Sequence, residues 1–166
     1  MPVEVRPIAE ANIPSFRDAV DAVARERRFL ALLEARSMAQ TMAFVRDNIE
    51  KGNPSFVALD DNRVVGWCDI IRNERREIHR HRGMLGIGII AAYRNQGIGR
   101  RLMEAALAAA RARDMTRIEL VVRADNTNAI ELYKRMGFQM EGTQRNADWI
   151  DGRYHDVHFM ARLAER

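Results

Sequence analysis

The stretch that decides the fold is Arg94-Asn95-Gln96-Gly97-Ile98-Gly99, set between the apolar run Leu85 to Ile90 and a long Ala-rich segment of helical pattern. Two glycines separated by one residue at the opening of a helix let the backbone pass close to a bound group. The first-turn amides of such a helix have no intrahelical partners and sit at the positive end of its dipole. A phosphate or pyrophosphate suits that place. A lone Gly-x-Gly is more often a plain turn, so its meaning depends on what surrounds it.

Upstream, Val3, Val5 and Ile8 alternate with polar residues and predict a first strand ending near Pro7. Ile13, Phe16, Val20 and Val23 recur at helical spacing, as do Met38, Met42, Val45 and Ile49, and Gly52-Asn53-Pro54 stops the second helix. Arg25 to Arg36, between these helices, carries no clear period. Ser55 to Leu59 and Val64 to Ile71 predict a hairpin around Asp60 to Arg63, followed by a basic loop from Arg72 to Arg82.

Downstream, Ile98, Leu102 and Ala106 share one helix face with Met103, Leu107 and Ala110 beside it, and Arg117 to Val122 is a further strand. The last helix is well punctuated. Asn126 or Thr127 caps its start, Ala129, Ile130 and Tyr133 line one face, and Gly137 closes it. Phe138 to Asn146 and Tyr154 to Leu163 form a terminal hairpin about Asp151-Gly152. The order β-α-α-β-β-β-α-β-α-β-β describes one α/β domain over residues 1–166, with a mixed sheet of about seven strands and about four helices.

Composition narrows the class. The chain has 166 residues, 47% apolar and 30% charged, as a globular domain does. Its one cysteine, Cys68, excludes an intramolecular disulfide and suits a reducing, cytoplasmic setting. The start has no signal-peptide core, and no run approaches membrane-spanning length. Lys and Arg number 27 against 23 acidic residues, a net charge of +4 that, with no nucleic-acid-reading motif beside it, points away from nucleic-acid binding. His155 and His158, three apart on a predicted strand, face opposite ways and make no metal pair.

The glycine loop does not stand alone. The later segment Asp125-Asn126-Thr127-Asn128-Ala129-Ile130-Glu131-Leu132-Tyr133, with Gly137-Phe138 and Gly142, follows at the spacing of a second known block. Together the two resemble the GNAT superfamily of acetyl-CoA-dependent N-acetyltransferases, whose Arg/Gln-x-x-Gly-x-Gly/Ala signature is matched by Arg94, Gly97 and Gly99. The resemblance runs over roughly residues 3 to 163. Gly66-Trp67-Cys68-Asp69, Arg82-Gly83 and Asp151-Gly152-Arg153-Tyr154 are most similar to a bacterial subgroup that includes L-amino-acid N-acetyltransferases.

The resemblance implies a set of roles. The amides from Gln96 to Arg101, those of Gly97, Ile98, Gly99 and Arg100 among them, cradle the coenzyme A pyrophosphate, Arg94 and Arg100 add positive charge, and Asn95 is a further cofactor-binding residue. Backbone groups of Ile89, Ile90 and Ala91 pair with the pantetheine arm, Asn126 and Ala129 border it, and Tyr133 protonates the departing thiolate. A phenol of pKa about 10 suits a thiol of about 8.5. The resemblance allows a homodimer.

The residue that removes the acceptor's proton stays open. Relatives that acetylate ribosomal-protein N-termini carry a glutamate where this chain has Val121, and others carry one on the strand that here holds Gly86, Ile87 and Gly88. Glu119, His79 and His81 are the remaining candidates, with a water chain as the alternative. Cys68 reads as a packing residue, so the amine attacks directly. The basic segment Arg75 to Arg82 favours an acceptor bearing a carboxylate if it borders the pocket. The leading expectation is acetylation of a small primary amine such as an amino acid. Protein N-terminal acetylation and a non-catalytic acyl-CoA-binding regulator are the alternatives.

Overall fold

The computed structural model describes residues 2–164. Among them seven strands form one mixed sheet, in the order β1-β2-β3-β4-β5-β7-β6. These are β1 (Glu4–Pro7), β2 (Ser55–Asp60), β3 (Arg63–Arg72), β4 (Arg82–Ile89), β5 (Arg117–Arg123), β6 (Gln139–Ile150) and β7 (Arg153–Leu163). The helices are α1 (Ile13–Ala24), α2 (Met38–Lys51), α3 (Ile98–Arg111) and α4 (Thr127–Arg135).

Local chemistry explains the boundaries. Ser37 and Gln40 cap α2 reciprocally, each side chain bonding the other's amide at 3.1 Å, and Gly52 ends the helix at φ +66°. Asp151 and Gly152, at φ +52° and +75°, make the tight turn between β6 and β7. The expected strand over Phe138 to Asn146 runs on to Ile150 because register shifts absorb its irregular middle. β4 begins at Arg82, three residues ahead of the apolar run, because its first residues pair with both β3 and β5.

Alternation along β3 places the helices. Trp67 meets Phe16 of α1 edge to face, with ring centroids 5.9 Å apart. A Cβ at the preceding Gly66 would come within 3.3 Å of Leu102 of α3. Neighbouring residues of a strand point to opposite faces, so α1 and α3 cover opposite sides of the sheet. Val57, Val65, Ile70, Leu102, Met103 and Ala106 are among the fully buried residues between these layers.

One departure from regular pairing makes the site. β4 and β5 run parallel but pair only from Arg82 to Met84 against Arg117 to Glu119. Beyond that point β4 keeps only β3, and β5 keeps only β7. A gap therefore opens in the middle of the sheet, toward the carboxyl ends of both strands, where α3 and α4 begin.

Candidate active site

Backbone alternation decides what the gap offers. Arg82 C=O accepts from Asn73 N–H and Ile90 N–H donates to Val65 C=O, so even-numbered residues of β4 direct their backbone toward β3. His81 C=O points the other way, accepting from Thr116 and Arg117 on the β5 side. In an antiparallel ladder both groups of a residue face the same neighbour. Ile87 and Ile89 therefore present their backbone to the gap, where an extended ligand arm can pair with them. Of the three residues expected there, Ile89 is so placed. Its carbonyl is shared with Arg94 Nε at 2.9 Å. Ile90 and Ala91 have their carbonyls occupied by Tyr93 and Arg94 amides. Ile87, which the expectation did not include, presents its backbone to the gap as well.

At the mouth of the gap the glycine loop does what its pattern requires. Asn95 and Gly97 both adopt left-handed backbone, at φ +60° and +77°. A Cβ at Gly97 would meet nothing within 4 Å, so the start of α3 is bare. Intrahelical bonding begins with Arg101 N–H to Gly97 C=O at 3.2 Å, leaving the amides of Ile98, Gly99 and Arg100 at the open helix end. Gly99 serves packing, since a Cβ there would press on Ile89 and Leu132 at 3.2 Å. The Gln96 side chain closes the loop, donating to Ala92 C=O at 3.0 Å. The bare, amide-lined helix start fits a pyrophosphate.

The structure places Arg94 differently from the expectation. Its guanidinium holds Glu26 through two bonds of 2.8 and 2.5 Å and lies 4.6 Å over the Phe29 ring. It fastens the irregular segment 25–36 to the end of β4, because Glu26 offers a bidentate partner that a mobile phosphate would have to displace. Arg100 remains at the helix start, exposed and paired with Glu104 at 2.7 Å.

On the α3/α4 side, Asn126 caps α4 through Ala129 N–H at 3.3 Å. Tyr133 of α4 is 7% exposed, 6.0 Å from the Phe138 ring, and near Cys68 of β3. Burial, and then the neighbouring Cys68, push its phenol above the usual range, so it stays protonated and can only donate. Cys68 is wholly buried and its thiol is likewise raised by burial, which keeps it from acting as a nucleophile. Cys68 pairs with Ile87 across β3 and β4, so Tyr133 lies beneath the open edge at Ile87.

The opposite face holds a cavity of about 220 Å³ between the 25–36 segment, α1, α2 and strands β3 and β4. Phe16, Val20, Leu30, Phe44 and Trp67 give it apolar walls, and Arg36 and Asp69 are its charged groups. None of Arg72 to Arg82 lines it; the basic residue that does is Arg36. Sequence reasoning missed Asp69 and Arg36, and the signal available was the Gly86 that lies opposite Asp69.

The expected proton acceptors lie elsewhere. Glu119 sits where β4 and β5 are still paired, its Oε1 held by Arg82 at 2.7 Å and Arg117 at 2.6 Å. His81 is exposed just ahead of β4, and His79 belongs to a short turn at Glu77–His79. The structure does not bring them together with Tyr133, which approaches β4 from the other face and three residues further along.

The site therefore combines a gap in a parallel strand pair, a bare amide-lined helix start and a buried phenol below the gap. The profile of the acetyltransferase (GNAT) family matches residues 18–138. The chain belongs to that family. It is 34% identical over 115 residues to the L-amino acid N-acetyltransferase AaaT of Escherichia coli, spanning 68% of this chain and 69% of that protein. It is also 34% identical over 125 residues to the N-alpha-acetyltransferase RimI of Mycobacterium tuberculosis, spanning 72% of each. Its fold superposes with a TM-score of 0.93 on yncA of Salmonella typhimurium, solved with acetyl-CoA, at 16% identity over 100% of this chain and 96% of that one. This GNAT protein is an acetyltransferase. Among the described residues no helix is long and apolar enough to cross a membrane.

Proposed function

We propose that this GNAT enzyme acetylates the amino group of a small molecule, an α-amino acid with an apolar side chain, by direct attack of the amine on the thioester. The cavity beside β4 carries this reading. Its volume of about 220 Å³ is smaller than the roughly 300–1,000 Å³ of drug-sized sites, and suits a metabolite. Its aromatic and aliphatic walls receive an apolar side chain. Arg36 supplies the fork that recognises a carboxylate, and Asp69 supplies the opposite charge for an ammonium group.

In this reading the helix start at Gly97 to Arg100 binds the pyrophosphate, and Ile87 and Ile89 hold the pantetheine arm along the open edge of β4. Asn126 and Ala129 border that arm at the start of α4. Tyr133 donates a proton to the departing sulfur. The co-substrate supplies the activated acetyl group, while the chain's own residues orient the two reactants and manage protons. Val121, 47% exposed on β5, offers no carboxylate to the site, which favours a small-molecule acceptor over a protein N-terminus.

The test is thiol release from acetyl-CoA over a panel of amines. L-Leucine, L-phenylalanine and L-methionine should be turned over with kcat/KM at least tenfold above spermidine and above an alanine-initiated peptide. The reverse order would refute the small-molecule assignment. Saturable acetyl-CoA binding with no thiol release on any amine would refute catalysis of this kind.

A further inference from the structure

Two glycines of β4 have no direct role in ligand contact through side chains, yet both are required by their neighbours. A Cβ at Gly88 would run into the Trp67 indole, and a Cβ at Gly86 would lie 3.3 Å from Asp69 Oδ1. Trp67 and Asp69 belong to β3 and pair with Gly88 and Gly86. On this face β4 carries no side chain of its own at these positions, and β3's side chains lean across it toward the open edge. Asp69 is 9% exposed and lines the cavity, and among the described residues its carboxylate has neither an ion-pair nor a hydrogen-bond partner. A buried carboxylate without a partner is costly unless something else binds it.

We propose that Asp69 is a catalytic residue that holds the acceptor's ammonium group and takes its proton. The strand of Gly86 offers no carboxylate of its own on this face, since Gly86 and Gly88 carry no side chain. Here the carboxylate comes from the adjacent strand, through the space that Gly86 leaves free. Asp69 lies on the α1/α2 face and Tyr133 on the α3/α4 face, with the edge of β4 at Ile87 between them. One side of the strand receives the amine and the other receives the leaving sulfur.

The protons balance. Asp69 takes one proton from the ammonium group, and the freed nitrogen pair forms the C–N bond to the thioester carbonyl carbon. The C–S bond breaks with its electron pair on sulfur, and Tyr133 gives sulfur its proton. The nitrogen's second proton restores Tyr133, and Asp69 returns its own to water. One acetyl group moves and one proton is released.

The surroundings of Asp69 keep its carboxyl responsive at neutral pH. Burial raises its pKa to about 7, and the Arg36 guanidinium opposes that rise. Phe16 and Val20 from α1, Thr41 and Phe44 from α2, and Gly86 and Ile87 from β4 add no charge around it. Its strand neighbour Cys68 points to the other face, with a thiol that stays protonated.

This inference rests on the small-amine reading, but its test separates the two. Asp69→Asn keeps the shape of the side chain, and thermal unfolding checks the fold. With L-leucine at pH 7.5, Asp69→Asn should lower kcat at least 100-fold and change the acetyl-CoA Kd less than twofold. Its rate should climb tenfold per pH unit toward the amine's own pKa, whereas the unaltered enzyme levels off above about pH 7. In the free protein, the ¹³C carboxyl resonance of Asp69 should titrate near 7 and shift when L-leucine is added. Gly86→Ala, which crowds Oδ1, should lower kcat with the same spared acetyl-CoA binding. A kcat for Asp69→Asn within threefold of the unaltered enzyme across the pH range overturns the proposal, as does a carboxyl resonance blind to the amine. If a peptide replaces leucine as acceptor, the small-amine reading fails while the same comparison, run on the peptide, still decides Asp69. Turnover of no amine overturns both.

Discussion

Gly97 and Gly152 form a natural controlled pair. Both have positive φ, +77° and +75°, and a Cβ at either would meet nothing within 4 Å. Alanine at either site therefore carries the same backbone penalty, about 1–2 kcal/mol for a left-handed residue. At 166 residues that corresponds to a Tm lowered by roughly 2–8 °C in each variant. The two differ in what surrounds them. Gly152 lies in the β6–β7 turn, while Gly97 opens α3, where the amides of Ile98 to Arg100 have no intrahelical partner and are proposed to bind the pyrophosphate. In the proposed binding mode a methyl group at Gly97 stands in the ligand's path. Gly97→Ala should raise the acetyl-CoA Kd at least tenfold, about 1.4 kcal/mol, and Gly152→Ala should leave it within twofold. Calorimetric titration against acetyl-CoA, with thermal unfolding of both variants alongside, measures the two effects separately. Equal stability loss with equal, unaltered affinity would refute the helix-start argument.

Other expectations follow from single contacts. Tyr133→Phe should keep the ring packed on Phe138 and the fold intact, yet lower kcat by 100-fold or more, measured by thiol release. Because the phenol is raised, the unaltered enzyme should show no activity loss from Tyr133 ionisation up to pH 10. Arg94→Gln should spare acetyl-CoA binding within about threefold but raise the acceptor KM and expose residues 25–36 to limited proteolysis, because it releases Glu26 and Phe29. Asp69 also links folding to pH. Its folded pKa of about 7 lies above its usual 3.8, so the folded state holds a proton that the unfolded chain releases between those values. The stability associated with that proton is fully present below about pH 4 and lost as pH rises through 7, a difference of about 4 kcal/mol. Asp69→Asn should therefore be more stable than the unaltered protein at pH 8, with the advantage vanishing near pH 4 in denaturant titrations.

The parts legible in the sequence are those with local punctuation. The Arg94-to-Gly99 loop, the Asn126 cap and the Asp151-Gly152 turn announce themselves through residues whose backbone or capping chemistry admits few alternatives. The rest depends on register. That Asp69 lies over Gly86 requires knowing which residues of β3 and β4 face each other, and a one-residue slip would send its side chain to the opposite face. The partner of Arg94 is 68 residues away in a segment without hydrophobic period, so its role as a clamp was hidden behind the motif it belongs to. Glu119 reads as a free carboxylate on the right face, and only the structure shows Arg82 and Arg117 occupying it. Arg36 lay in that same patternless segment.

In the proposed reaction the acetyl group passes directly from acetyl-CoA to the free amino group of a small apolar amino acid. Mass analysis of a single turnover, with enzyme in excess over acetyl-CoA and L-leucine present, tests it most directly. N-acetyl-leucine and coenzyme A should form in equal amounts, with no acetyl group left on the protein at any time. An acetylated Cys68, or acetyl-CoA unconsumed with leucine but consumed with an alanine-initiated peptide, would contradict it.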